Sequence, residues 1–331
     1  MQTILVTGGA GFIGSNLVDA IPPQWRVVVF DNMMRGHESL RNLSEIKRPF
    51  ELVVGDVRNP RQVNEVVAQF RPQVVYHLAA LPSHRLALTK PPRDYVEVDV
   101  MGTINVLDAC REYGGSVVFA SSNKVYGHQP IPHEESMPKL PHGPYGQAKA
   151  TSEDYCYQYS LYHGVASVAI RFHHAVGPRC HSELVLPIFG ERALRGGELI
   201  ANGRYEDDAW VWCSADFTHI KDITRGLLLF ASDWWQQKQD APDGEGGTTF
   251  RAFNFGTGKD ITVYALAQMV VDAVGNPEAR IVRGVAMPHE GLHHLAKVYK
   301  ARLELNWQAQ LSVADAVKEY VAWRKQYPVE W

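Results

Sequence analysis

Apolar, mostly β-branched residues recur through the first half of the chain in short continuous runs at 4–6, 27–30, 52–54, 74–77, 117–120 and 166–170. Runs that are apolar throughout, rather than alternating, mark strands covered on both faces, as in a parallel sheet flanked by helices. Between them, helices are read over 11–20, 61–70, 101–113 and 145–163. Strand and helix alternate to about residue 170, which predicts an α/β fold built on a doubly wound parallel sheet.

Past Gly177 the rhythm breaks at Pro178, at Pro187 and at the Gly196-Gly197 pair, and Trp210 and Trp212 alternate as on a short strand. A helix over 219–232 and a strand over 251–255 read as a return to the sheet. Helices over 262–274 and 312–323 belong to a smaller mixed lobe, and the polar, glycine-rich stretch 236–249 reads as an exposed loop. The pattern divides the chain into a sheet domain, 1–177 joined by about 219–256, and a substrate lobe of 178–218 and 257–331.

The composition, 45% hydrophobic and 21% charged, excludes a disordered or coiled-coil chain. With 33 basic against 36 acidic side chains, net −3, there is no bulk charge to grip nucleic acid or an anionic membrane. Cys110, Cys156, Cys180 and Cys213 form no C-x-x-C pair, and the start of the chain has no signal-peptide pattern. A protein of the reducing cytoplasm is expected.

The first strand runs into Thr7-Gly8-Gly9-Ala10-Gly11-Phe12-Ile13-Gly14. Glycines at that spacing allow a tight turn and a close backbone approach to a pyrophosphate, and the helix that follows offers it N–H groups and a positive dipole end. Asp31 ends the second strand, where a carboxylate accepts from an adenosine ribose and repels a 2′-phosphate. It predicts NAD over NADP, with Arg35 the one nearby residue that could argue otherwise. Gly55-Asp56-Val57 and His77-Leu78-Ala79-Ala80 follow the third and fourth strands. With these segments the chain resembles the extended short-chain dehydrogenase/reductases, the NAD-dependent epimerase/dehydratase family that acts mainly on nucleotide sugars. The resemblance implies a Rossmann domain and a cofactor site of Gly8, Gly11, Phe12, Ile13, Gly14, Asp31, Asn32, Asp56, Val57, Leu78, Ala79, Ala80, Asp99, Ala120, Tyr145, Lys149 and Phe172.

Tyr145 and Lys149 form Y-x-x-x-K, a spacing that puts both side chains on one face of a helix. A phenol with an ordinary pKa near 10 is a poor base, and a neighbouring ammonium favours its phenolate. Tyr145 is then the expected acceptor of a sugar hydroxyl proton, and Ser122 the group that hydrogen-bonds the same hydroxyl and the developing carbonyl oxygen. After Ser122 the chain reads Asn123-Lys124, where the family's 4,6-dehydratases resemble Thr-Asp-Glu. The Asn-Lys pair resembles CDP-tyvelose 2-epimerase-like members instead. The resemblance therefore implies an epimerase that oxidises a sugar hydroxyl transiently and re-reduces it. A dehydratase, an enzyme of nucleotide-free sugars and an NAD-sensing regulator are the alternatives.

Three family positions for the nucleotide sugar are altered. Arg171-Phe172-His173-His174-Ala175-Val176-Gly177 places His174 where Asn is usual, Ala215 stands where Arg precedes Asp-Phe, and a third Arg falls near Met287 or at Arg283. Arg85, Arg179 and Arg204 are candidate replacements, with Asn123 and His174 as further substrate contacts. His173, His174 and His181 have no carboxylate or Cys at ligand spacing, so no metal is expected. Asp99 stands where Asn is usual in Asn-Val-x-Gly-Thr. The 145–163 helix, with Tyr155, Cys156, Tyr159 and Leu161, implies by resemblance a homodimer.

Overall fold

The apolar runs pair as neighbours in a seven-stranded sheet. A computed structural model of the chain describes residues 2–81, 90–231, 250–286 and 293–328. Arg85 and the stretch 236–249 lie outside them, as does Met287. The strands are β1 (Thr3–Thr7), β2 (Arg26–Asp31), β3 (Glu51–Val54), β4 (Val74–His77), β5 (Ser116–Ser122), β6 (Ser167–Phe172) and β7 (Arg251–Phe255). Their spatial order is β7-β6-β5-β4-β1-β2-β3, and β1 to β6 are parallel. The chain reverses its direction of travel across the sheet between β1 and β4. Ligand crevices form at such a point, outside the carboxyl ends of the strands.

The helices are α1 (Phe12–Ala20), α2 (His37–Ser44), α3 (Pro60–Phe70), the short α4 (Pro92–Tyr95), α5 (Gly102–Tyr113) and α6 (Gly143–His163). Asn59 caps α3 through its side chain, and Gly164 ends α6 in the left-handed conformation. Leu5, Val28, Val75, Val117 and Ala169 from the sheet pack with Val63, Val67 and Phe70 of α3 and Val106 and Leu107 of α5 into one core. Each such side chain contributes roughly 1.5 to 3 kcal/mol by leaving water. β3 departs from the expectation of strands covered on both faces: it is the sheet edge, and Leu52 and Val54 are exposed.

The chain forms two compact units. The first comprises Met1–Gly127, Pro138–Phe172 and Thr224–Phe253, and the second His128–Met137, His173–Ile223 and Asn254–Trp331. In the second, His174–Val176 pairs in parallel with Phe217–His219, and Glu198–Glu206 lies between Arg280–Val285 and Ala209–Trp212. Phe255 stacks on Trp307 with ring centroids 4.2 Å apart. The helices expected over 262–274 and 312–323 are Val263–Val274 and Val313–Gln326. The one expected over 219–232 runs Ile220–Leu228 and closes in a 3-10 turn, Leu229–Ala231.

Candidate active site

The turn between β1 and α1 is shaped by what glycine lacks. A Cβ at Gly8, whose φ is +70°, would lie 2.6 Å from the Ala79 backbone nitrogen, and one at Gly14 2.3 Å from the Gly8 carbonyl oxygen. The turn thus folds onto itself and onto the half-buried Leu78-Ala79-Ala80 segment after β4. Gly11 caps α1 with no side chain over its first N–H groups, while Phe12 is buried beneath and Ile13 is half-buried. This narrow, uncapped cradle, closed to any side chain, fits a dinucleotide pyrophosphate.

At the end of β2 the Asp31 carboxylate accepts from the Ala10 N–H (3.0 Å) and the Met33 N–H (2.8 Å). Burial pushes its pKa up, and those two hydrogen bonds oppose the shift. Each oxygen retains a lone pair for a further donor such as a ribose hydroxyl. Arg35 lies 3.2 Å from Glu38. Asn32 donates to Asp56 at 3.0 Å, and Arg58 binds the same carboxylate through two nitrogens. Those Arg58 bonds, against the opposing effect of burial, hold Asp56 at about 2. Val57 is buried under Gly102 of α5, and Asn105 donates to its carbonyl at 2.8 Å.

Ser122 ends β5 beside Phe172 of β6, with Ala120 buried two residues earlier. It caps a 3-10 turn, Asn123–Val125, by accepting from the Lys124 N–H at 3.2 Å. α6 comes close to that turn because Gly146 has no side chain: a Cβ there would lie 2.7 Å from the Lys124 carbonyl oxygen. Tyr145, the preceding residue, hydrogen-bonds Ser122. Lys149, one turn on, places Nζ 5.9 Å from the Tyr145 ring centroid and 3.1 Å from the Asp99 carboxylate. The structure thus brings Ser122, Tyr145, Lys149 and Asp99 together.

The proton affinity of Tyr145 differs from the sequence expectation. Burial first, and then the charge of Asp99, push the phenol above its ordinary value of 10, with only the Ser122 hydrogen bond acting downward. The ammonium that should lower it is tied to a carboxylate.

Two groups near this site escaped sequence reasoning. His77 spans Thr7 Oγ1 (2.8 Å) and Thr103 Oγ1 (3.1 Å), and burial, assisted by Lys149, lowers it to about 3. A histidine closing an apolar strand was the available signal. Glu153, on the same face of α6 four residues after Lys149, receives Arg171 Nε at 3.0 Å and Nη2 at 2.7 Å and the Ser121 hydroxyl. Arg171 also donates to Tyr126 Oη at 2.9 Å. Cys156, one turn after Glu153 on that face of α6, is buried, whereas Tyr155 and Tyr162 are exposed.

The remaining candidates belong to the second unit. The His174 N–H donates to the Asp216 carbonyl at 3.0 Å, and its ring lies near Phe217 and His294. Arg179 is buried with φ +66°. Arg204 is half-exposed and ion-paired with Glu206 at 2.8 Å. Asp216 is a structural carboxylate that accepts from Thr257 and from the Gly258 and Ala296 N–H groups. Trp210 and Trp212 pack edge to face, with Arg283 5.2 Å from the Trp210 ring centroid. Among the described residues no cluster of three His, Cys, Asp or Glu could hold a metal ion, and no helix is long and apolar enough to cross a membrane.

Residues 4–240 match the NAD dependent epimerase/dehydratase family. The chain is 30% identical to a UDP-glucose 4-epimerase of Mycolicibacterium smegmatis, over 96% of each chain. It is 29% identical to a dTDP-glucose 4,6-dehydratase of Actinoplanes sp., over 97% of each. The structure of Thermus thermophilus UDP-glucose 4-epimerase in complex with NAD superposes with a TM-score of 0.83 at 27% identity, covering 98% of this chain and 100% of that one. The chain belongs to the NAD dependent epimerase/dehydratase family, within the extended short-chain dehydrogenase/reductases. It is an NAD-dependent sugar-modifying enzyme with a Rossmann-like sheet.

Proposed function

We propose that this enzyme is a nucleotide-sugar epimerase that oxidises one sugar hydroxyl transiently and restores it with inverted configuration. The observation that carries the proposal is the joint placement of Ser122, Tyr145 and Lys149 with Asn123, rather than a carboxylate pair, beside Ser122. Tyr145 takes the hydroxyl proton and later returns it. Ser122 holds the same oxygen as it becomes a carbonyl. Asn123 is buried, its Oδ1 accepts from Ser122 at 3.3 Å, and among the described residues its Nδ2 has no partner, which leaves a donor for a sugar oxygen. NAD, when bound, supplies the hydride acceptor and gives the hydride back. The turn Gly8 to Gly14 holds its pyrophosphate and Asp31 its adenosine ribose, with Asn32, Asp56 and Leu78 to Ala80 along the cleft. Removal of water has no evident acid and base here, because Asn123 and Lys124 replace them.

His174, Arg179 and Arg204 are the proposed substrate contacts of the second unit. A second reading, in which the sugar carries no nucleotide, is favoured by the engagement of Arg204 with Glu206 and the packing of Arg283 on Trp210. A second copy of the chain against α6, at Tyr155 and Tyr162, completes the proposal of a homodimer.

Thermal-shift screening of UDP-, GDP-, CDP-, ADP- and dTDP-sugars beside free sugars tests the substrate class, because a ligand that binds the native state raises its stability by RT ln(1 + [L]/Kd). One nucleotide series is expected to shift the transition. A shift with free sugars alone supports the second reading and overturns the first.

A further inference from the structure

Between α4 and α5 the backbone winds through a π-helical turn, Val96–Met101. A π-turn admits an extra residue and frees carbonyls from the usual ladder, and such turns are frequent at functional sites. This one places Asp99. Its carbonyl oxygen accepts from Thr103 Oγ1 at 2.5 Å and from Ser152 Oγ at 3.0 Å, so backbone oxygen is satisfied by α5 on one side and α6 on the other. Its carboxylate accepts from the Leu81 N–H at 3.2 Å and lies 3.1 Å from Lys149 Nζ. Asp99 is 1% and Lys149 2% exposed. A buried ion pair next to a phenol is an arrangement whose charge cannot be screened by water.

The other ionisable groups around the pair come from four elements, β4, α4, α6 and β6. His77 of β4 is kept neutral by burial and by Lys149. On α6, Glu153 is taken up by Arg171 of β6, and burial pushes the Cys156 thiol up to well above its ordinary range. Ser122 of β5 hydrogen-bonds Tyr145, and Tyr95 of α4 packs edge-on to it at 6.3 Å. Burial pushes the Asp99 carboxyl up from its ordinary value and the Lys149 ammonium opposes that shift; ionised beside that ammonium, Asp99 acts on the Tyr145 phenol to keep its proton on.

We propose that Asp99 is a positioning residue: presented by the π-turn, its carboxylate fixes the Lys149 ammonium and offsets the charge that ammonium presents to Tyr145. The inference rests on the assignment of Tyr145 as proton acceptor. An amide at this position offers one acceptor oxygen to the two donors, Leu81 N–H and Lys149 Nζ, and leaves the ammonium uncancelled, so Asp99 sets the pH at which Tyr145 becomes a base. A site of this design holds its tyrosine protonated until further positive charge enters the cleft.

The test is a phenolate absorbance titration of the full chain saturated with NAD, read as the difference between each protein and its Tyr145→Phe counterpart. Asp99→Asn is expected to move the Tyr145 transition down by at least one pH unit, a tenfold gain in phenolate at fixed pH. Asp99→Ser, which also removes the charge, gives the same direction if the Asn variant fails to fold. A Tyr145 transition unchanged or moved upward by removal of the carboxylate overturns the proposal, whereas a merely structural role for Asp99 would lower stability without shifting this titration. The measurement needs no sugar, so it stands apart from the assignment of Tyr145, which fails separately if Tyr145→Phe still interconverts sugars.

Discussion

Replacing Arg171 by Met removes the cation that holds α6 to the sheet behind the tyrosine and lysine. Arg171 and Glu153 are 4% and 1% exposed and meet through two nitrogens, at 3.0 and 2.7 Å. Burial acts to lower the Arg171 pKa, and the stronger opposing pull of Glu153 and Tyr126 raises it above the ordinary arginine value. Without the guanidinium, Glu153 keeps the Ser121 hydroxyl and a Lys139 ammonium 3.8 Å away. Loss of one partner from a buried pair costs about 3 to 5 kcal/mol, because the survivor stays desolvated. Urea unfolding followed by tryptophan fluorescence and by circular dichroism reads that loss, and coincidence of the two curves shows whether one transition describes both units. Glu153→Leu/Arg171→Met, with no charge left to bury, should recover most of the stability. A single variant within about 1 kcal/mol of the parent, or a double variant as weak as the single, would refute the reasoning.

Gly14→Ala is expected to weaken NAD binding at least about tenfold in calorimetric titration and to lower the melting temperature, because its Cβ would meet backbone atoms at 2.3 and 2.7 Å that can yield only if the turn opens. His77 is neutral when folded down to about pH 3, while in the unfolded chain it takes a proton near 6.5. Across that window the unfolded state binds more protons, so the His77 contribution is present above pH 6.5 and is lost as pH falls. Between pH 7 and 5 it amounts to about 2 kcal/mol. The drop in unfolding free energy over that range should shrink by this amount in His77→Gln; equal drops would mean that His77 does not titrate as described.

The sheet was legible because its strands advertise themselves locally. Runs such as Ile4 to Val6 and Val117 to Ala120 are apolar throughout and end at glycine or at Ser122, and the observed strands exceed them by a residue or two at each end. Tyr145 and Lys149 were legible for the same reason, since their spacing alone puts them on one helix face. What stayed hidden depends on partners far along the chain. The segment Val96-Glu97-Val98-Asp99-Val100 alternates like a strand, and only its fit against Lys149 and Ser152 explains a π-turn. Nothing near Glu153 announces Arg171. In the second unit, Arg280–Val285 pairs with Glu198–Glu206, which no local pattern encodes. The Tyr145 phenol illustrates the limit best: spacing puts Lys149 on its helix face, but burial first, and then Asp99, push its proton affinity the other way.

The central claim, transient oxidation with return of the same hydride, is tested most directly with a nucleotide sugar whose ring carbons all carry deuterium. The epimer is expected to form with every carbon–deuterium bond retained, with no reduced cofactor accumulating at 340 nm, and Tyr145→Phe is expected to slow the conversion by roughly a hundredfold or more. Loss of one deuterium to solvent with release of water would identify a dehydratase. Accumulation of reduced cofactor with a keto sugar would identify a dehydrogenase, and either result would contradict the account.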